Sequence, residues 1–314
     1  MKSLAVFFTA PGKCELREWD CPDPAGDQIQ VQCLANGICM GDTSLFDGRQ
    51  HTHYPRAIGH EGVGVVTKVP AGVKGFVEGD YVNCFGWSSH QNLTAAHANR
   101  FVRPPADPSV YIVEPAACVV SALYSYTITP GDRVLVLGAG YMGLLNVQGL
   151  ARYPLGELVV ADLKAANCEL ARSFGATETI QIGTPAGDAR LAALRDGQFD
   201  LVVEAAAAPA AIRSAGDFCR TGGRLSIFAW HHEPRELDLG VWHIKGLTVL
   251  NSAPGIGTDH NINSMARALT LLERGVFDMA PLITHRHQVE RVQEAMELSV
   301  ARPGGYIKGV LLFG

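Results

Sequence analysis

Three residues near the start of the chain, Cys39, His60 and Glu61, are of types that can bind zinc. Zinc in proteins accepts thiolate, imidazole and carboxylate ligands, and a catalytic zinc keeps one coordination position open. Glu114 offers a further carboxylate, and Asp42 offers an oxygen that would orient the His60 ring through its second nitrogen. Because a lone cysteine or histidine is usually a core or surface residue, the residue types leave a metal site and a structural role equally open.

A glycine pattern in the middle of the chain, G-x-G-x-x-G, predicts a site for a dinucleotide. It follows an apolar strand and precedes a helical run. Gly138 allows a tight turn, Gly140 lets a pyrophosphate approach the backbone, and Gly143 lets the helix pack against the strand. Tyr141 and Met142 lie between these glycines, where the start of the helix would offer N–H groups and its positive dipole end to phosphates.

The strand after this helix ends at Asp162, about 20 residues beyond the glycines. A carboxylate at that place would accept hydrogen bonds from the hydroxyls of the adenosine ribose. It would also repel a 2′-phosphate, which favours NAD over NADP, although Lys164 lies close enough to tolerate some NADP. The alternative is a glycine-rich turn in another kind of α/β sheet, with a surface aspartate nearby.

The elements that must position these residues change in character along the chain. Residues 1–110 contain short β runs separated by clusters of glycine, proline and aspartate, which is typical of a compact β-rich unit. From Tyr111 onward, apolar strand-like runs alternate with helical segments, which predicts a parallel sheet covered by helices on both faces. The last stretch contains two amphipathic helices and a strand at residues 306–312, so we expect the chain to return to the first domain.

Composition excludes several classes of protein. The chain has 314 residues, with 26 Lys and Arg against 31 Asp and Glu, and 47% of its residues are hydrophobic. This length and apolar content predict two domains with stable cores and exclude disorder. The scattered basic residues exclude a nucleic-acid-binding stripe. No apolar run reaches the ~18–20 residues that a membrane span requires, so we expect neither a nucleic-acid nor a membrane partner.

The cysteines and the N-terminus indicate where the protein works. Eight cysteines are spread along the chain without the spacing of a disulfide framework. The first residues read as a strand rather than as a signal peptide, because no small-residue cleavage site precedes Cys14. We therefore expect a cytoplasmic protein with reduced thiols.

In their order and spacing, these motifs resemble those of the medium-chain, zinc-dependent alcohol and polyol dehydrogenases. The resemblance extends over essentially the whole chain. The matching segments are Cys39, Gly59-His60-Glu61-x-x-Gly64, Gly79-Asp80-Tyr81-Val82, Ala95 to Pro104, Glu114-Pro115, Gly138-x-Gly140-x-x-Gly143, Asp162 and Pro281-Leu282-Ile283-Thr284-His285. The Glu-Pro pair is most similar to the branch of sorbitol, threonine and glucose dehydrogenases.

The resemblance implies an α/β fold with two domains. Residues 1–115 and 255–314 would form a GroES-like, β-rich catalytic domain. Residues 116–254 would form a doubly wound Rossmann domain, whose parallel sheet binds the dinucleotide. The resemblance also implies a homodimer or homotetramer, for which the sheet-edge strand at residues 247–253 would be a joining surface.

The resemblance implies a zinc-dependent oxidoreductase that transfers a hydride between a secondary alcohol, polyol- or sugar-like, and NAD. The small-molecule partners would be the alcohol and its ketone. Cys39 and His60 would be the first two zinc ligands, Glu114 would stand in the place of the third, and Glu61 would be the carboxylate that can move onto the metal. Cys118 is a rival third ligand, for which a role as a buried apolar residue is favoured.

The chain departs from the family pattern in two places. The usual proton relay has a hydroxyl two residues after the ligand cysteine and a histidine farther on, but Gly41 and Ser44 occupy these places. Glu61, Thr43, Ser44 or a chain of waters would have to carry the proton instead. The lobe in which the family commonly has four cysteines retains only Cys84, so we expect one catalytic zinc per chain and no structural zinc.

Two other functions stay open on the sequence. A zinc-free, NADPH-dependent reductase of the same superfamily would reduce an activated double bond, and that chemistry needs none of the four candidate ligands. A non-catalytic sensor that binds a dinucleotide is the second alternative, because the usual relay residues are missing. His231 and His232 follow a predicted strand, where they would meet a polar or anionic substrate or lie in a solvated loop.

Overall fold

The computed structural model describes residues 1–252 and 262–314. Within these ranges the chain divides into two compact units, one formed by Met1–Ala116 with Met265–Gly314 and the other by Ala117–Ser264. The expected first domain boundary, after residue 115, lies next to the boundary between these units. The expected second boundary, between residues 254 and 255, lies outside the described residues.

Strands and helices account for most of the described chain. The strands are β1 (Lys2–Ala10), β2 (Lys13–Asp20), β3 (Gln28–Gly37), β4 (Arg56–Ala57), β5 (Gly62–Lys68), β6 (Tyr81–Cys84), β7 (His90–Thr94), β8 (Arg133–Leu137), β9 (Glu157–Asp162), β10 (Glu178–Gln181), β11 (Phe199–Glu204), β12 (Cys219–Ile227), β13 (Thr248–Asn251), β14 (Ile283–Gln288) and β15 (Lys308–Leu312). The helices are α1 (Met40–Phe46), α2 (Val113–Ser125), α3 (Tyr141–Leu150), α4 (Ala165–Ser173), α5 (Pro185–Ala193), α6 (Pro209–Phe218), α7 (Leu239–Ile244), α8 (Ser264–Glu273) and α9 (Val292–Ala301). Of the helices in the described ranges, none has the length and apolar character needed to cross a membrane.

The first unit is built on two β-sheets. In the smaller sheet, β1 pairs antiparallel with β2 and with β4. The larger sheet has the order β14-β15-β3-β5-β6, and β7 also pairs with β3. Because β15 pairs antiparallel with β3, the end of the chain returns to the first unit, as the sequence predicted. Both sheets and α9 contribute to one apolar core, which includes Phe8, Ile29, Trp87, Met296 and Leu311.

The second unit is built on one parallel sheet, with the strand order β10-β9-β8-β11-β12-β13. The central strands β8, β9 and β11 are almost wholly buried and mostly apolar, as expected for a parallel sheet that helices cover on both faces. The strand order reverses at β8, which defines a doubly wound sheet and places ligands at the carboxyl ends of its strands. This topology confirms the predicted α/β class and the Rossmann sheet.

Candidate metal centre and dinucleotide turn

Cys39, His60 and Glu61 come together in the first unit, and we call them the ligand cluster. One potential ligand atom from each of the three residues lies within 4.8 Å of the others. Cys39 directly precedes α1, and His60 and Glu61 directly precede β5. Across the residues that the structure describes, no other group of three such side chains comes as close together.

The start of α1 positions the Cys39 side chain. Cys39 is the N-cap residue, with an extended backbone, and its Sγ accepts a hydrogen bond from the Gly41 N–H at 3.5 Å. In return, the Cys39 N–H donates to Asp42 Oδ2 at 2.8 Å. These reciprocal bonds form a capping box, which satisfies N–H groups that the helix leaves unpaired. The sulfur is therefore held by local backbone geometry.

Asp42 also lies close to His60, but the expected hydrogen bond between them is not present. His60 Nδ1 is 3.7 Å from Asp42 Oδ1, which is an ion-pair distance and too long for a hydrogen bond. The capping bond to the Cys39 N–H holds the carboxylate in this position. Burial raises the pKa of Asp42 to about 6, against the attraction of His60. Burial lowers the pKa of His60, but its contacts with Cys39 and Asp42 outweigh burial and raise it to about 11.

Glu61 has a buried counter-ion that the sequence analysis missed. Lys308 Nζ, in β15, lies 2.5 Å from Glu61 Oε2, and the two side chains are only 6% and 2% exposed. A β-carbon at Gly37 would lie 1.9 Å from the same oxygen, so the glycine makes room for the carboxylate. The Glu61 N–H donates to Asn36 Oδ1 at 3.0 Å, which fixes the backbone. A lysine inside the otherwise apolar strand at residues 306–312 is the signal that could have revealed Lys308.

Gly59, the residue before His60, packs tightly against Trp87. Gly59 has a φ of +102°, and a β-carbon there would lie 2.3 Å from the Trp87 ring. Trp87 is buried in the core, and its Nε1 donates to Asn36 Oδ1 and to the Gly37 carbonyl, both at 3.2 Å. Trp87 therefore supports the segments that carry His60 and Glu61.

The charges around the ligand cluster fit a divalent cation. With the Cys39 thiol ionised, Cys39, Asp42 and Glu61 carry three negative charges against the one positive charge of Lys308. The two remaining negative charges match one zinc ion, with His60 neutral as a ligand. Burial raises the pKa of the Cys39 thiol, and a bound metal ion deprotonates a coordinating thiol. Donor types, spacing and charge thus agree with zinc.

The other two candidate ligands, Glu114 and Cys118, are not members of the ligand cluster. Glu114 is in the first turn of α2, and it is not among the residues whose ligand atoms come within 4.8 Å. Cys118 lies in the second unit and is partly exposed, whereas the sequence favoured a buried apolar role. Glu114 as the third ligand stays a prediction.

The two candidate relay hydroxyls bond within and near α1. Thr43 Oγ1 donates to the Met40 carbonyl at 2.9 Å, and Ser44 Oγ donates to the Gly41 carbonyl at 2.9 Å. Both side chains are buried. A proton path through either hydroxyl therefore requires it to leave a carbonyl oxygen to which it is now bonded.

The glycine-rich turn, residues 138–143, has a different steric requirement at each glycine. Gly138 has a φ of +99°, and a β-carbon there would lie 2.7 Å from the Ala206 Cα. A β-carbon at Gly143 would lie 2.0 Å from the Gly138 carbonyl oxygen. At Gly140, by contrast, a β-carbon would meet nothing within 4 Å. Two glycines thus serve the packing of the turn, and Gly140 faces open space where a pyrophosphate would approach.

Helix α3 begins at Tyr141 and Met142, directly after Gly140. As the N-cap residue, Gly140 supplies no side-chain hydrogen bond. The first turn of a helix presents N–H groups that lack partners within the helix, together with the positive end of the helix dipole. This helix start is therefore suited to hold a phosphate.

Asp162, at the end of β9, is bonded to the glycine-rich turn itself. Its Oδ2 accepts the Ala139 N–H at 2.7 Å. Its Oδ1 accepts the Lys164 N–H at 2.8 Å and the Asn167 side-chain amide at 3.1 Å. Each carboxylate oxygen has further capacity to accept a hydrogen bond. Asp162 thus shapes the turn and still offers a negative charge for recognition of a ribose.

Two family models match the chain. The model described as the alcohol dehydrogenase GroES-like domain matches residues 25–102, which lie in the first unit. The model described as zinc-binding dehydrogenase matches residues 142–274. The first match confirms the expected GroES-like domain, and the second begins inside the glycine-rich turn.

Relatives and solved structures match nearly the whole chain. L-threonine 3-dehydrogenase of Pectobacterium carotovorum is 25% identical, over 95% of each chain. Sorbitol dehydrogenase of Bacillus subtilis is 25% identical, over 95% of this chain and 93% of the relative. The alcohol dehydrogenase rspB of Escherichia coli CFT073, solved with NADH, is 25% identical over 99% of each chain, with a TM-score of 0.85.

A zinc-binding dehydrogenase of Sinorhizobium meliloti, solved with NADP, has the same fold. Its TM-score is also 0.85, at 21% identity over 99% of each chain. Together with the two family models, these similarities agree with the parallel sheet and with the GroES-like first unit. The chain therefore belongs to the medium-chain, zinc-dependent alcohol and polyol dehydrogenase family.

Proposed function

We propose that the protein oxidises a secondary alcohol of polyol or sugar type with NAD and uses one zinc ion at the ligand cluster. The observation that carries this proposal is the convergence of a thiol, an imidazole and a carboxylate within 4.8 Å in the first unit. The dinucleotide would bind at the glycine-rich turn of the second unit. The threonine and sorbitol dehydrogenases among the relatives support an alcohol with a neighbouring polar group as the substrate.

Each residue at the metal centre would have its own role. Cys39 and His60 would hold the zinc, with Glu114 as the expected third ligand and Glu61 as a carboxylate within reach. When bound, zinc supplies Lewis-acid polarisation of the alcohol or carbonyl oxygen. Asp42 holds Cys39 by accepting the capping bond from its N–H, and the same carboxylate attracts Nδ1 of His60. Lys308 holds Glu61 by charge, so it limits the movement of that carboxylate.

The proton of the alcohol needs a path away from the centre. Thr43 and Ser44 donate to carbonyl oxygens of α1 and would have to break these bonds to take part. Glu61 Oε2 is paired with the Lys308 ammonium at 2.5 Å, so no bond to a carbonyl oxygen has to break before this carboxylate takes part. Glu61 is therefore our first candidate for accepting the proton, ahead of the two hydroxyls.

Asp162 supports NAD as the preferred dinucleotide. Its charge lies at the end of β9, where a 2′-phosphate on the adenosine ribose would be repelled. Replacing Asp162 by serine should lower the preference for NAD, because a neutral hydroxyl accepts a hydrogen bond but repels no phosphate. Comparison of kcat/KM for NAD and NADP in the two proteins would measure this preference.

One experiment tests metal, dinucleotide and substrate class together. The purified protein is assayed for metal content and for oxidation of polyols, sugars, amino alcohols and simple secondary alcohols with NAD and NADP, before and after chelation. We expect one zinc per chain, oxidation of a polyol- or sugar-like alcohol with NAD, and loss of activity on chelation that added zinc restores. Activity that survives complete removal of metal would reject zinc catalysis and favour the zinc-free reductase. Dinucleotide binding with no turnover would favour the sensor.

A further inference from the structure

A hydrogen-bonded chain of Glu204, His231 and Arg235 lies in the second unit, and we call it the carboxyl-edge network. His231 Nε2 is 2.8 Å from Glu204 Oε2, and the Arg235 Nε donates to His231 Nδ1 at 3.2 Å. Glu204 is fully buried, and the side chains of His231 and Arg235 are 11% and 17% exposed. His231 lies in a loop whose following residues are mostly exposed, as one of the two sequence-based interpretations expected, but its own side chain is largely buried.

The bonding pattern determines where the imidazole proton lies. The Arg235 Nε–H is only a donor, so His231 Nδ1 acts as the acceptor and carries no proton. The ring proton is then on Nε2, which donates it to Glu204. Both ring nitrogens are engaged, so His231 connects a carboxylate to a guanidinium instead of exchanging protons with a substrate. The Arg235 guanidinium, which also pairs with the exposed Glu233 at 3.3 Å, supplies the positive charge that offsets the buried Glu204 carboxylate.

The network lies at the edge of the sheet where a dinucleotide binds. Glu204 is the last residue of β11, and His231 follows the end of β12. Both strands lie on the side of β8 opposite to β9. In a doubly wound sheet, each half receives one nucleotide of the dinucleotide. Because Asp162 at the end of β9 marks the adenosine half, β11 and β12 belong to the nicotinamide half.

Glu204 also stabilises the backbone at Ala206 and Ala207, which packs against the glycine-rich turn. Its Oε1 accepts the N–H groups of Ala206 and Ala207, each at 2.8 Å. Ala207 has a φ of +56°, a left-handed conformation that alanine rarely adopts. Ala206 is the residue that a β-carbon at Gly138 would strike. The carboxylate thus stabilises the backbone that packs directly on the first glycine of the turn.

We propose that the carboxyl-edge network positions the two loops that receive the nicotinamide half of the dinucleotide. One oxygen of Glu204 holds the loop after β11, and the other, through His231 and Arg235, holds the loop after β12. Loops held in their binding conformation lose less entropy when the ligand binds, so affinity rises without a new contact. This inference rests on the proposed function, because it requires the second unit to bind NAD. His231 is a positioning residue in this scheme.

The test compares two ligands that differ in the nicotinamide half. Binding of NADH and of AMP is measured for the wild-type protein and for His231→Ala, by nicotinamide fluorescence and by calorimetry. AMP carries only the adenosine half. We expect the Kd for NADH to rise about tenfold, as for loss of one hydrogen bond to a charged group. The Kd for AMP should stay within about twofold.

Three further variants separate positioning from a general effect on the fold. His231→Gln keeps one donor and one acceptor on the side chain, so NADH affinity should return to within about threefold of wild type. Arg235→Met removes the outer end of the network and should weaken NADH about threefold with AMP unchanged. His243→Ala removes an exposed histidine from α7 of the same unit and should change neither ligand. Thermal unfolding is measured for every variant. If His231→Ala does not fold, the NADH and AMP affinities of Arg235→Met test the inference in its place.

Several outcomes would overturn the inference. Full NADH affinity in His231→Ala would show that the network does not act on the nicotinamide half, and equal weakening of NADH and AMP would show a general effect on the unit. NADH affinity that His231→Gln does not restore would also contradict it. These results leave the proposed function intact. A wild-type protein that binds neither ligand would overturn both the inference and the proposed function.

Discussion

The ligand cluster and the glycine-rich turn are suited to ligands of opposite charge, and they use different parts of the chain for this purpose. The ligand cluster would hold a cation with side chains, and each of its three members offers a different donor atom. The glycine-rich turn would hold an anion with backbone N–H groups: β-carbons at 138 and 143 would collide with backbone atoms, and Gly140 leaves open space for the anion. Replacing a donor atom by another type should therefore disable the ligand cluster, whereas adding a side-chain atom at a glycine should disable the glycine-rich turn.

The largest effect is expected from Cys39→Ser. The variant replaces the soft sulfur by a hydroxyl that stays protonated, so zinc should be lost and kcat/KM should fall more than about 100-fold. NADH should bind as in the wild type, because the glycine-rich turn is unchanged. Metal analysis, steady-state kinetics and NADH fluorescence would measure the three quantities. A variant that keeps its zinc and its activity would remove Cys39 from the ligand cluster.

Lys308→Met should destabilise the zinc-free protein, because it leaves Glu61 as a buried carboxylate without its counter-ion. Breaking a buried pair in this way costs about 3–5 kcal/mol. Zinc should restore much of this loss, since the metal supplies a positive charge next to Glu61. Thermal unfolding before and after chelation would show the difference. If chelation lowers the unfolding temperature equally in both proteins, Lys308 does not balance Glu61.

A matched pair of alanine variants separates packing from binding in the glycine-rich turn. Gly138→Ala forces a β-carbon to within 2.7 Å of the Ala206 Cα at a positive φ, and should lower the free energy of unfolding by about 1–3 kcal/mol. Gly140→Ala meets nothing within 4 Å, so it should leave stability unchanged and weaken NADH about tenfold. Chemical denaturation would measure the stability of the two variants, and titration with NADH would measure their affinity. Unaltered NADH affinity in Gly140→Ala would place the pyrophosphate elsewhere.

The smallest effect is expected on the pH dependence of thermal stability, at His287, which is not a member of the ligand cluster. Burial lowers the pKa of His287 from its usual value of 6.5, and its Nε2 has no hydrogen-bond partner among the described residues. The stability that neutral His287 contributes is present above pH 6.5 and is lost as the pH falls through the lowered value. His287→Gln should therefore lose less thermal stability than the wild type between about pH 7 and about pH 5. An identical pH dependence in both proteins would show that other groups cause the loss.

Local sequence was sufficient to predict the glycine-rich turn, because its strand, glycines and helix follow one another along the chain. Asp162 was predicted for the same reason, although its bond to the Ala139 N–H was not. The ligand cluster was predicted from residue types and from family resemblance. These signals identify which side chains take part, and they contain little about which other groups surround them.

What the sequence did not reveal are contacts between distant residues. Lys308 lies far along the chain from Glu61, and the pairing of β15 with β3 and of β3 with β5 brings the two together. Glu204 and His231 are joined because β11 and β12 are neighbours in the sheet. The expected hydrogen bond from His60 to Asp42 failed because the helix cap holds the carboxylate 3.7 Å away. Side-chain geometry of this kind depends on the assembled fold.

The pairing of β15 with β3 has a consequence for how the protein is made. Strands β8 to β13 lie between residues 133 and 251, so their sheet can assemble while the ribosome still holds the C-terminal segment. The first unit lacks β15 and the counter-ion of Glu61 until Lys308 has left the exit tunnel. A nascent chain therefore completes its parallel sheet before Glu61 gains its counter-ion, and premature termination near residue 300 would leave the ligand cluster without the positive charge of Lys308.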